Sequence, residues 1–179
     1  MSRSVEEITK SEAELIERLE SVSGLMEVKT EQLKTNGVFD GFAQIYREYA
    51  ASDDLEATKR AIFYFWYQAS EPDCFSGLGD LPKELNELVL EKLGRLVSEG
   101  RVDVELKWML PYYYTITDWL FDSIYSTSKG LKDVLTHHGD RWYFELKPEA
   151  FVNRGLMGRY WGSMHPKIGQ RLHDSEAKS

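Results

Sequence analysis

The sequence predicts an all-α fold, or one nearly so, as a single-domain bundle of about six to eight helices around a buried aromatic helix. Three observations lead there. Ala61, Ile62, Phe63, Tyr64, Phe65, Trp66 and Tyr67 follow one another without a polar break, so every side of that segment needs cover. A second stretch, residues 108–125, holds Trp108, Tyr112, Tyr113, Tyr114, Trp119, Phe121 and Tyr125, with only Asp118 and Asp122 charged. Elsewhere, apolar residues recur at three- and four-residue spacing behind recognisable helix caps.

Ser4 and Glu7 form a capping-box pair ahead of Val5, Ile8, Leu15, Ile16 and Leu19, which predicts a helix over 5–20. A second apolar pattern crosses 25–33 and stops at the turn signal Asn36-Gly37. Phe42, Ile45, Tyr46 and Tyr49 share one side of a helix over 39–51. Asp53 and Glu56 make the next capping pair. The run 61–67 taken alone would also suit a buried strand, but residues 55–60 are good helix formers and Glu71-Pro72 supplies a stop, so the length of the segment favours a helix.

The longest break is 72–80, with Gly77 and Gly79 inside it. Pro82 then opens an amphipathic helix that turns Leu85, Leu88, Val89, Leu93, Leu96 and Val97 inward and ends at Gly100. Gly94 within that helix implies close packing against a neighbour. Pro111 makes 103–126 either one kinked helix or two abutting ones. Beyond Lys129-Gly130 the pattern thins: a short helix at 131–135, a short strand at 142–146, and a final helix over 148–161 broken by Gly155 and Gly158. The domain is expected over 1–165, with a frayed polar tail at 166–179.

A chain of 179 residues, 42% hydrophobic and 29% charged, falls within ordinary globular usage, away from both disorder and membrane proteins. Cys74 is the sole cysteine, which excludes an internal disulfide and fits a reducing compartment. The polar N-terminus lacks the apolar core of a signal peptide, and no segment approaches the length of a transmembrane span, so a cytoplasmic location is expected. The net charge of −8 disfavours general nucleic-acid binding. Residues 1–128 hold 13 Lys+Arg against 24 Asp+Glu, and residues 129–179 hold 9 against 6. Either the basic end folds back onto the acidic body, or Arg154, Arg159 and Lys167 form an anion-binding lip.

Catalytic and metal chemistry finds little to build on. His137 and His138 are adjacent and point apart on a helix, and neither His165 nor His173 has metal-ligand spacing around it. No metal and no cofactor is therefore expected. Asp118 and Asp122 would share a helix face, as a solvated stripe or as a pair for a divalent cation or acid/base work. Cys74, beside Phe75, reads as a small apolar filler more readily than as a nucleophile. Ser76 lacks the surroundings of a hydrolase elbow, and Gly77-Leu78-Gly79 lacks the rest of a phosphate loop. Glu71 stands at the mouth of the aromatic run, where a carboxylate needs a partner such as Arg154 or Arg159, or else holds its proton.

Trp66-Tyr67 through Glu71-Pro72 to Ser76-Gly77, together with residues 106–110 and 154–161, resembles motifs shared by a group of uncharacterised bacterial proteins. The similarity covers residues 50–165. It implies a self-contained bacterial domain and supplies no catalytic residue. The residues themselves predict a non-catalytic cytoplasmic protein that binds another protein, basic in character, as an adaptor, inhibitor or immunity-type partner does. Trp66, Tyr67, Glu71, Tyr112, Asp118, Arg154 and Arg159 are its candidate contacts. The alternative is a small-molecule binder or enzyme with an aromatic pocket fixed by Glu71, Asp118, Tyr112 and Arg154.

Overall fold

The computed structural model describes residues 3–125, 129–136 and 147–176. The fold is all-α: about 80% of the described residues are helical, and no strand occurs among them. The expected strand at 142–146 lies outside them, as do His137 and His138. The chain forms two compact units, residues 1–95 and 96–179. Their boundary falls inside a helix, so no linker composition announces it.

Unit 1 comprises α1 (Val5–Ser21), α2 (Met26–Thr35), α3 (Val38–Ala51), α4 (Leu55–Ser70), α5 (Asp73–Ser76) and most of α6 (Glu84–Ser98). The predicted capping box is present: Ser4 Oγ accepts from the Glu7 amide and the Glu7 carboxylate accepts from the Ser4 amide. α1 packs on α3, and α3 on α4. α4 is buried from Ala57 through Trp66. The residue that caps α4 is Asp54 rather than Asp53, its Oδ1 accepting from the Ala57 amide at 3.0 Å. Asp53 stands nearly fully exposed, 3.6 Å from the Lys92 ammonium.

The 72–80 break is less irregular than its glycines suggest, because α5 makes one turn within it. Gly77 ends that turn at φ +73°, and a β-carbon there would press within about 3 Å of Leu19 and Phe42. Gly94 behaves otherwise than expected: the space around it is open, so close helix packing does not account for it. Lys92 is a buried cation with a clear purpose. Its ammonium donates to the carbonyls of Ala50 and Ser52, satisfying the C-terminal end of α3.

Unit 2 continues with α7 (Val104–Thr117), a 3-10 turn (Asp118–Phe121), α8 (Asp122–Tyr125), α9 (Lys129–Thr136), a second 3-10 turn (Pro148–Phe151) and α10 (Gly155–Glu176). Asp103 caps α7, which runs unbroken through Pro111. The final helix starts later and ends later than the sequence pattern implies. The break falls at 152–154; Gly158 lies inside the helix, where a β-carbon would strike the carbonyl of Phe151. The backbone is helical to Glu176, and Pro166 removes one backbone donor without stopping it.

The core of unit 2 is built on Trp161, which is fully buried. Its ring lies 4.4 Å from that of Trp108 and 5.1 Å from Tyr112, and its Nε1 donates to the Tyr113 hydroxyl at 2.9 Å. His165 is buried beside Trp108 and Phe151, in a setting of ring contacts. The two units also divide the charge. Unit 1 holds 11 Lys+Arg against 19 Asp+Glu, net −8, whereas unit 2 holds 11 against 11 and is neutral.

Candidate functional site

The most polar feature of unit 1 is hidden within it. Glu12, fully buried on the apolar face of α1, accepts from the hydroxyls of Tyr49 at 2.7 Å and Tyr64 at 2.8 Å. Arg60 lies 3.3 Å from the same carboxylate and donates to the Tyr49 hydroxyl, to Thr9 and to Glu56. One carboxylate, one guanidinium and two phenols thus lock α1, α3 and α4 in register. A ligand would have to break these bonds to reach any member, so the network reads as an architectural fixture.

That network makes a prediction about alkaline pH. Burial, reinforced by the Glu12 charge, raises the Tyr49 and Tyr64 phenols well above their ordinary value. Burial alone does most of the same for Tyr46 and Tyr113. Unfolded tyrosines lose their protons near pH 10, while these retain theirs, so stability is complete below about pH 10 and falls as the pH rises beyond it. Denaturant midpoints at pH 8 and pH 11 should differ clearly; equal midpoints would mean that these phenols ionise as freely folded as unfolded.

The candidate residues of α4 cluster at its C-terminal end. Trp66 is buried and stacked with Tyr67, whose ring also lies 4.8 Å from Phe63. Burial and the Glu71 charge push the Tyr67 phenol up to about 12. Glu71 is half-buried and closes α4, its amide donating to the Tyr67 carbonyl. Neighbouring this end of the helix, the surface of α5 and α2 is unusually apolar. Leu25 is 75% exposed, Phe75 54%, Met26 51% and Val28 48%. α2 packs on α5, and the Lys29 ammonium sits 5.5 Å above the Phe75 ring. Leu33 beneath is completely buried and fixes α2 in place.

The same segments carry the exposed acids Glu27, Glu31 and Asp73, with Asp80 in the loop after α5. Partial burial, with the Asp80 charge beside it, lifts the Asp73 carboxyl above its usual range. Cys74, between Asp73 and Phe75, is buried in the manner of an apolar filler. Buried Ser76 accepts from the Leu78 amide.

The remaining candidates belong to unit 2 and do not converge there. Arg154 is held by Glu105 through a two-pronged ion pair, with both side chains largely buried. Glu105, and not Glu71, is therefore its carboxylate. Arg159 is exposed on α10. Tyr112 shares a hydrogen bond of 2.8 Å with the Tyr160 hydroxyl. Asp118 is exposed and accepts from the Trp119 amide. Of the four proposed pocket fixtures, Asp118 alone lines a described cavity, and Glu71 belongs to the other unit. Arg154→Ala should strand a nearly buried carboxylate and lower stability by about 2–4 kcal/mol, read from the denaturant midpoint. An unchanged midpoint would make the pair a surface ornament.

Among the described residues no group of three or more His, Cys, Asp or Glu side chains is placed to hold a metal ion, and no helix is long and apolar enough to cross a membrane. No family model, curated protein or solved structure matches the chain. No local motif marks Glu12, Arg60 or Lys92 as a buried charge. The available signal for Glu12 was its position four residues after Ile8 and before Ile16, on the stripe that the helix buries.

Proposed function

We propose that this chain is a non-catalytic cytoplasmic binding protein, an adaptor, inhibitor or immunity-type partner, that docks a basic protein on the α2–α5 surface of unit 1. The observation that carries the reading is the exposed apolar group Leu25, Met26, Val28 and Phe75 on two elements packed together. Apolar side chains gathered on a surface among charges are typical of sites that another protein covers. The net charge of −8 on unit 1 favours a basic partner and opposes a second copy of the same surface. Completely buried Leu33 and the packing of α2 on α3 and α5 anchor the surface, which limits what is lost in ordering it on binding.

The test joins identification to reconstitution. A photo-crosslinker at position 28 should trap a basic protein, and the purified pair should rebind more weakly as salt rises. Leu25→Ser with Phe75→Ser should abolish that binding while leaving the melting temperature within a degree or two, since both side chains are exposed. Undiminished binding by this double variant, or an acidic partner indifferent to salt, would remove the surface from the reading.

A further inference from the structure

We infer that unit 2 carries a separate site for a small organic cation, an ammonium group on a compact apolar body, seated between α7 and α9. A cavity of about 350 Å³ opens there, lined by Pro111, Tyr114, Thr115, Asp118, Leu135 and Thr136. That volume lies at the small end of the range for small-molecule sites. Its floor is apolar: Leu135 and Pro111 are buried, and the half-buried Tyr114 ring packs against Phe121.

The chemistry of the rim selects the ligand. The Thr115 hydroxyl donates to the Pro111 carbonyl at 2.8 Å, and the Thr136 hydroxyl donates to the Lys132 carbonyl at 2.9 Å. A carbonyl has only lone pairs to offer, so each hydroxyl has committed its single hydrogen and retains acceptor capacity alone. Asp118 already accepts from the Trp119 amide and adds negative charge with further lone pairs. The three rim side chains therefore present acceptors and one carboxylate. A primary ammonium supplies three donors and the opposite charge, and the Tyr114 ring face is an additional seat for a cation. A bare divalent metal is a poorer match, since one carboxylate and two hydroxyls tied to their own helices fall short of the six or more oxygens that hard cations gather.

The full chain, labelled with nitrogen-15, should be titrated with butylammonium and 2-phenylethylammonium, and in parallel with the anions butyrate and 3-phenylpropanoate. The ammonium probes should give saturable shifts confined to amides in 111–119 and 131–136, and the anions none. Asp118→Asn keeps an acceptor for the Trp119 amide and should weaken ammonium binding at least tenfold. Thr136→Phe, at an exposed rim position, should obstruct the cavity and abolish binding with the melting temperature unchanged. Anions that bind as tightly as the ammonium probes would overturn the assignment. So would affinity untouched by both substitutions, or the absence of any saturable shift.

Discussion

Glu12→Ala should be among the most damaging single changes in this protein, lowering stability by about 3–5 kcal/mol, or roughly 10 °C of melting temperature. The substitution removes more than a methylene or two. It leaves the Arg60 side chain, only 4% exposed, without its buried counter-charge, and withdraws the acceptor from two phenols at once. Arg60→Ala should be nearly as severe, because the buried Glu12 charge then loses the guanidinium beside it. Glu12→Ala with Arg60→Ala should cost less than the sum of the two single changes, with a coupling of about 0.5–3 kcal/mol, since neither stranded charge remains. Denaturant unfolding of the four proteins in the cycle decides it. A single variant that unfolds alongside the parent would show that water reaches this carboxylate and that the network is incidental.

How far that network was visible in the chain can be put in physical terms. Periodicity reports which face of a helix is buried, and it placed α1, α3 and α6 closely because their apolar residues repeat with the helical turn. It says nothing of why a carboxylate should occupy that face. The partners of Glu12 lie 37, 48 and 52 residues away, at Tyr49, Arg60 and Tyr64, and only the folded chain brings them together. The same holds for Arg154, whose carboxylate stands 49 residues off at Glu105 rather than at Glu71.

Capping was legible to within a residue. Asp53 and Asp54 are chemically equivalent as caps, and the choice between them depends on where α4 starts its first turn. Asp118 is exposed on an aromatic segment. Its cavity depends on α9, however, whose position no local pattern specifies. The boundary between the units falls within a continuous helix, so no linker composition marks it.

Trp161→Ala should be the counterpart in unit 2, at about 3–5 kcal/mol, because a fully buried indole is deleted from among Trp108, Tyr112 and Tyr113. The loss has two parts that a second variant separates. Tyr113→Phe preserves the ring packing and removes the oxygen that accepts from the indole nitrogen, leaving a buried donor without that bond, at about 1–3 kcal/mol. If packing dominates, Trp161→Phe should recover much of the stability lost in the alanine variant, while Tyr113→Phe stays mild. If the polar bond dominates, Trp161→Phe and Tyr113→Phe should cost similar amounts, because both abolish the same donor–acceptor pair. Near-ultraviolet circular dichroism of the aromatic bands, followed with the denaturant midpoints, distinguishes the two. We expect packing to dominate, given a ring separation of 4.4 Å between Trp108 and Trp161 and the large apolar area such a pair removes from water. A Trp161→Ala protein that unfolds at the parent's midpoint would show that unit 2 draws its stability from elsewhere than this aromatic core.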